Sequence, residues 1–215
     1  MAEVAAKEVQ KLRQMAGVGM MDAKRALVET EGDVEKALEL LRVRGLAKVA
    51  KRAGEREANQ GSIGTYLHYQ ADRPVIGVLV DLACETDFVA KNPDFRQVAD
   101  DIAMHIAWGK PRWIRREDVD SVELGSEKDF FAAQAREEGK PEHIIDRIVE
   151  GKVNSYYEDH VLYDQKFARS ESFDGTVEAM VNDLAARMGE NISVRRMAML
   201  RIGEADGQAS DGQGH

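Results

Sequence analysis

The segment that most constrains the fold reads PVIGVLVDLACETDFVAKN and spans Pro74 to Asn92. Its first half is a strand pattern with apolar residues on both faces, broken only at Asp81. Such a strand needs a cover on each face of its sheet. Helices of the same chain can cover one face, and either a second copy or further helices can cover the other. We expect a homodimer, because it is the simpler of the two answers.

The same strand ends abruptly in Glu85-Thr86-Asp87-Phe88, an acid and a large ring where core packing would ask for neither. Side chains at turns face solvent or partners. This pattern predicts a wedge that enters another molecule. The alternative is that Thr86 or Asp87 caps a turn before Asn92-Pro93 and that Phe88 packs on its own helix.

The first 45 residues have the apolar periodicity of three short helices, broken at Gly17-Val18-Gly19 and at Glu31-Gly32-Asp33. We expect Gly32 to end the second helix and Asp33 to cap the third. The three apolar stripes contain Val4, Val9, Leu12 and Met15, then Met21, Ala26 and Leu27, then Val34, Ala37, Leu38 and Leu41. We predict a helical domain over 1–45, a basic linker helix over 46–60, a core over 61–203 and a disordered tail over 204–215.

Within the core, period-two alternation predicts a hairpin of strands Ile63–Tyr69 and Val75–Cys84 and a third strand over Asn191–Ile202. Helical spacing predicts a helix through Phe95, Val98, Ile102 and Ile106 that ends before Pro111, and further helices over 127–138, 142–163 and 176–188. The fold class is therefore α+β: an N-terminal three-helix domain, then a small three-stranded antiparallel sheet packed with helices. His105, in an apolar helix, is expected to be structural.

Several classes of function are disfavoured. No run reaches the roughly 18 apolar residues of a membrane span, and the first residues include Glu3, Lys7 and Glu8 where a signal peptide would be apolar. Cys84 is the only cysteine, as expected in a reducing compartment, and we expect a cytoplasmic protein. A net charge of -9 argues against nucleic-acid binding, although residues 1–56 carry 12 Lys and Arg against 9 Asp and Glu.

Motifs for chemistry are missing as well. No phosphate-binding loop follows a strand, and no serine elbow is present. The histidines are too far apart in sequence for a local metal motif. We therefore expect no cofactor, no metal site and no enzyme activity. One enzyme hypothesis stays open, in which Glu85, Asp87 and His68 meet at one end of the hairpin as an acid-base site.

Three motifs carry a family resemblance: LRQMAGVGMMDAKRAL near the N-terminus, CETDFVAKN over 84–92 and GENISVRR over 189–196. In this order, and over residues 1 to about 203, they resemble the short form of the elongation factor Ts family. The resemblance implies a ubiquitin-associated-like helical domain, a homodimer, and a guanine nucleotide exchange factor that promotes GDP release from elongation factor Tu by disturbing its magnesium and phosphate site.

The resemblance also implies roles for particular residues. Thr86, Asp87, Phe88 and Val89 form the segment associated with dislodging magnesium, with Phe88 as the wedge and Asp87 against the helix that it displaces. The implied grip on the partner comes from Arg13, Met20, Met21 and Lys24 in the helical domain and from His68 in the core. A core role for one of the two methionines stays open. So does a different function, an adaptor whose helical domain recruits another protein and whose core only dimerises.

Overall fold

The structure is a computed structural model that describes residues 5–16, 18–55 and 57–204. The helices and strands form a mixed α+β chain. They are α1 Ala6–Ala16, α2 Met20–Glu29, α3 Val34–Glu55, β1 Gln60–Gln70, β2 Arg73–Cys84, α4 Asp87–Ala90, α5 Pro93–Gly109, α6 Ser121–Glu137, α7 Glu142–His160, α8 Val177–Met188 and β3 Ser193–Arg201. The 3-10 turn Arg116–Asp118 lies between α5 and α6. No helix in the described ranges is both long enough and apolar enough to cross a bilayer.

The chain divides into two compact units. The first contains Met1–Gly61, Ala83–Ala90 and Val181–Ser193, and the second contains Ser62–Leu82, Lys91–Met180 and Val194–His215. The expected disorder of the tail concerns residues that, after Glu204, lie outside the described part of the chain.

In the first unit, α1, α2 and α3 form the predicted three-helix arrangement. Its core contains Val9, Leu12, Ala23, Ala26, Leu27, Ala37 and Leu41. Glu31 and Gly32 have φ values of 54° and 89°, which turn the chain out of α2, and the Asp33 carboxylate accepts the Lys36 N–H at 3.0 Å, which caps α3. Both predictions for this turn are confirmed. Val4 and Gly17, used in the sequence argument, lie outside the described residues.

The third helix runs without interruption to Glu55, so the segment separated in sequence as a linker from residue 46 continues this helix. Gly45 lies inside this helix, where it packs closely against α8. A Cβ at this position would lie 3.2 Å from the Cβ of Ala186. This glycine allows close packing and does not end a helix. The side chains of Lys48, Lys51, Arg52 and Arg56 lie outside those that the structure describes.

The predicted three-stranded antiparallel sheet is confirmed, in the order β1-β2-β3. β1 and β2 are joined at Ala71 and Asp72, with φ values of 48° and 63°. Two consecutive positive φ angles match the tight hairpin turns that follow the twist of the strands. The turn is shorter than the predicted loop over 70–74, and β1 begins at Gln60, before the expected start at Ile63.

One face of the sheet is covered in the described chain. Phe95, Ile102 and Ile106 of α5 are buried as predicted, and Val78, Val80 and Leu82 of β2 are buried with them. The Asn92 side-chain Oδ1 accepts the Asp94 N–H at 2.8 Å and caps the start of α5. The helix ends at Gly109, and Lys110, in the left-handed region, caps it one residue before Pro111.

The other face of the sheet is open. Leu67 lies beside Gly77, and Arg196 pairs with Asp81, so residues of all three strands can be assigned to this face. Its exposed apolar side chains are Ile63, Leu67, Tyr69, Leu79 and Leu200, with Ile202 just beyond β3. In the described part of the second unit no helix covers these exposed side chains, and what lies against them stays a prediction.

The helical pair α6 and α7 was only partly located from sequence. α6 begins at Ser121, six residues before the predicted start, because the Asp120 carboxylate accepts the N–H groups of Val122 and Glu123. The break at Gly139-Lys140-Pro141 is confirmed, with Gly139 at a φ of 73°. α7 ends at His160, three residues before the predicted end.

Candidate functional site

The candidate site is the turn that follows β2. The last residues of the strand, Ala83 and Cys84, are completely buried. The chain then forms the single helical turn α4, for which Thr86 is the cap: its Oγ1 accepts the Val89 N–H at 3.4 Å, and its carbonyl oxygen accepts the Ala90 N–H at 3.1 Å. A rigid strand end thus leads directly into a short capped helix.

Glu190 holds this turn from a distant part of the sequence in the same unit. One carboxylate oxygen accepts the Glu85 N–H at 3.0 Å and the Thr86 N–H at 3.1 Å, and the other accepts the Thr86 hydroxyl at 2.5 Å. In return, the Glu85 carboxylate accepts the Asn191 N–H at 2.7 Å. The two segments therefore exchange hydrogen bonds in both directions.

Cys84 contributes a further contact on the strand side. Its Sγ donates to the Thr86 carbonyl oxygen at 3.2 Å. Burial, assisted by the Glu190 carboxylate, raises the pKa of Cys84 to about 11. The thiol therefore keeps its proton at neutral pH and serves as a hydrogen-bond donor.

Phe88 is 83% exposed, the most exposed large hydrophobic side chain in the described residues. The alternative that it packs on its own helix is wrong, whereas the alternative that Thr86 caps the turn is correct. The two findings are compatible, because the cap fixes the backbone from which the ring projects. Asp87 is exposed beside it, and Val89 is partly buried.

The contact residues expected in the helical domain lie on its surface. Met20 and Met21 begin α2 and are 47% and 69% exposed, so neither has a core role. Arg13 and Lys24 are exposed as well. Met15, which the sequence stripe assigned to the core, is instead 53% exposed at the end of α1. Three exposed methionines thus flank the loop between α1 and α2.

His68 belongs to the second unit, where it is exposed near the end of β1 and its Nδ1 lies 3.4 Å from the Tyr66 hydroxyl. It lines a cleft of about 360 Å³ with Gln70, Arg73, Val75, Ile76, Arg201 and Ile202. All the other expected contact residues belong to the first unit. Among the described residues, no three His, Cys, Asp or Glu side chains are grouped so that they could hold a metal ion.

Sequence reasoning missed Glu190 as a site residue, although it lies in the quoted GENISVRR motif. Its partners are more than 100 positions away, so no local spacing could reveal them. The available signal was Gly189, which follows α8 with a φ of 75°. A glycine there ends the helix and turns the next side chain back toward the unit.

Comparisons with known proteins agree on one family. A family model described as "Elongation factor TS" matches residues 1–174. The chain is 47% identical over 201 residues to a protein named "Elongation factor Ts" from Thermosipho melanesiensis, with 94% of this chain and all of the relative covered. It is 46% identical to the protein of that name from Fervidobacterium nodosum, with 94% and 100% covered, and 48% identical to that from Syntrophomonas wolfei, with 94% and 91% covered.

Proposed function

The chain belongs to the elongation factor Ts family, and from this premise we propose that it is a guanine nucleotide exchange factor that promotes GDP release from elongation factor Tu during translation elongation. The proposed mechanism disturbs the magnesium and phosphate site of the partner and involves no covalent chemistry, so the protein is not an enzyme. The cytoplasm is the proposed location, because that is where translation elongation takes place.

The observation that carries the proposal is the exposed Phe88 on a turn that is fastened on both sides. An aromatic ring gains burial when it enters a partner, and such rings dominate the energetics of many interfaces. Because its backbone is held by Thr86 and Glu190, the ring can push partner elements apart instead of yielding. Asp87, exposed next to it, would contact the displaced helix.

Exchange by such a wedge couples two binding equilibria of the partner, that of the factor and that of the nucleotide. If the factor binds the empty partner more tightly than the nucleotide-bound one, then bound nucleotide weakens the factor by the same ratio as the factor weakens nucleotide. Each tenfold change in affinity corresponds to about 1.4 kcal/mol. Several such increments must come from displaced groups around the magnesium and phosphates, which is the role proposed for Thr86, Asp87, Phe88 and Val89.

The remaining contact residues would hold the factor on its partner while the wedge acts. Exposed methionines suit an adaptable apolar contact, because their side chains are flexible and polarisable. Met20 and Met21, with Arg13 and Lys24, would form this grip from the helical domain. His68 would add a contact from the core, where its cleft also presents Arg73.

A homodimer is the second part of the proposal. The open sheet face carries Leu67, Leu79 and Leu200, each more than half exposed. Apolar surface of this kind, spread over three strands, is typical of an interaction site. The same face of a second copy is self-complementary, as a two-fold axis requires. Phe88 belongs to α4 and to none of the three strands.

Nucleotide release from elongation factor Tu tests the exchange proposal. Stopped-flow fluorescence of a labelled GDP should show faster release when the wild-type chain is added. The double substitution Asp87→Ala with Phe88→Ala should remove most of the acceleration, because both groups of the wedge are lost. Phe130→Ala is a matched control, since Phe130 is 60% exposed on α6. Unchanged release on adding wild-type protein would contradict the proposal.

A further inference from the structure

We propose that Glu190 is the positioning residue of the exchange wedge, which we define as Asp87 and Phe88. Glu190 fixes the two residues that precede the wedge, Glu85 and Thr86, through three hydrogen bonds. The inference rests on the proposed function, because a positioned ring matters only if that ring acts on a partner. The residue lies in the GENISVRR motif, to which the proposed exchange mechanism gives no role.

The hydrogen bonds of Glu190 use both of its carboxylate oxygens on one turn. Three donors converge on it: the Glu85 N–H, the Thr86 N–H and the Thr86 hydroxyl. Hydrogen bonds to an ionised carboxylate are about twice as strong as neutral ones. Phe88 follows only two residues after Thr86, so little backbone freedom remains between the anchor and the ring.

The wedge needs this anchor because its own helix is too short to be stable. α4 contains four residues, and a single turn does not offset the entropy of ordering it in water. Its cap is Thr86 Oγ1, the same oxygen that donates to Glu190. Glu190 thereby orients the hydroxyl that receives the Val89 N–H, and its effect reaches α4 through Thr86.

Glu190 is itself held firmly. It follows α8, in which Leu184 and Ala185 are fully buried, and it precedes the buried Ile192. The neighbouring Asn191 N–H donates to Glu85, so the backbone beside the carboxylate is tied to the turn that the carboxylate supports. A side chain on a backbone that is held in this way can keep a short turn in one conformation.

This arrangement favours a ring that is in place before the partner arrives. A mobile Phe88 would lose conformational freedom on insertion, and that loss would subtract from the free energy available to displace the magnesium site. A preorganised ring avoids the loss. Removing Glu190 should therefore reduce the maximal rate of exchange more than the strength of binding, which the helical domain supplies.

The test measures GDP release against factor concentration for the wild type, Glu190→Ala and Glu190→Gln, with Glu178→Ala as the control carboxylate on α8. Glu190→Ala should lower the maximal release rate at least about tenfold, the effect of losing one charge-assisted hydrogen bond, because the substitution removes all three. The half-saturating concentration should change by less than about twofold, as expected for an interaction that matters after binding. Glu178→Ala should match the wild type.

Fluorine NMR of fluorophenylalanine-labelled protein measures the position of the ring without any partner. The chain has six phenylalanines, so the Phe88 resonance can be assigned from a Phe88→Leu variant. In Glu190→Ala this resonance should narrow and shift as the turn becomes mobile, while the other resonances stay unchanged. A double variant with Thr86→Val should lose less activity than the two single losses combined, because both substitutions remove the same contact between the Thr86 hydroxyl and Glu190.

Several outcomes would overturn the inference. Release curves of Glu190→Ala that superimpose on those of the wild type would do so, as would an effect confined to the half-saturating concentration. If Glu190→Ala loses helix content by circular dichroism, Glu190→Gln decides the question, with an expected loss of about threefold because an amide offers one acceptor oxygen to three donors. Wild-type protein that fails to accelerate release would instead refute the proposed function, and the fluorine result would still judge the positioning.

Discussion

At the scale of single residues, His105 shows how a buried polar group is satisfied without charge. Its Nδ1 accepts the Ala168 N–H at 3.2 Å, so its Nε2 carries the proton and donates to the Gln165 side-chain oxygen at 2.9 Å. Gln165 in turn donates to the carbonyl oxygens of Gly109 and Asp159, which fixes its orientation. The apolar surroundings predicted a structural histidine, but a partner 60 positions away could not be read from the sequence.

Burial lowers the pKa of His105, and this shift makes the stability of the second unit depend on pH. Because the unfolded chain binds a proton at a higher pH, near 6.5, the contribution is fully present above that value and is lost as the pH falls toward the folded pKa. The advantage of the wild type over His105→Asn should therefore shrink by up to about 1.4 kcal/mol per pH unit below pH 6.5. Urea unfolding followed by Trp108 and Trp113 fluorescence measures it. Parallel pH curves for the two proteins would contradict the prediction.

At the scale of helices and strands, glycines explain which boundaries could be predicted. Gly32 ends α2 as expected, because its φ of 89° is open mainly to glycine. Gly45 and Gly125 instead lie inside α3 and α6. A glycine costs a helix only about 1 kcal/mol relative to alanine. The Asp120 cap offsets that cost in α6, and the close approach of Ala186 uses the missing side chain in α3.

Gly64 lies in β1 at the point where this strand packs against α5, and there is no space for a side chain at this position. A Cβ at this position would lie 2.1 Å from the Ala99 carbonyl oxygen, a backbone atom that cannot move aside. Gly64→Ala should therefore destabilise the protein by about 3 kcal/mol, at the upper end for overpacking. Gly77→Ala is the matched control, because its Cβ would lie 3.4 Å from a flexible Leu67 methyl group. Chemical denaturation measures both variants, and equal stabilities would show that β1 can shift away from α5.

At the scale of the whole molecule, the alternation in β2 predicted correctly that both faces of the sheet carry apolar side chains. It could not indicate what covers the second face. Val78 and Val80 are buried, whereas Leu79 between them is 54% exposed. A period of two assigns side chains to faces and contains no information on which molecule lies against each face. The same limit applies to the site: the sequence indicated the exposed Phe88, but its support by Glu190 depends on the folded chain.

The open sheet face predicts a dimer that a single charge can break. Light scattering at micromolar concentration should give about twice the chain mass of 23.9 kDa. Leu79→Lys places a charge in the centre of this face, and two-fold symmetry places it there twice. The free energy of dimerisation should therefore become less favourable by at least about 3 kcal/mol, which raises the Kd of the dimer more than a hundredfold. Val122→Lys is the control, since Val122 is 76% exposed on α6. A monomeric mass for the wild type, or a Leu79→Lys protein that stays dimeric, would show that this face has a different use.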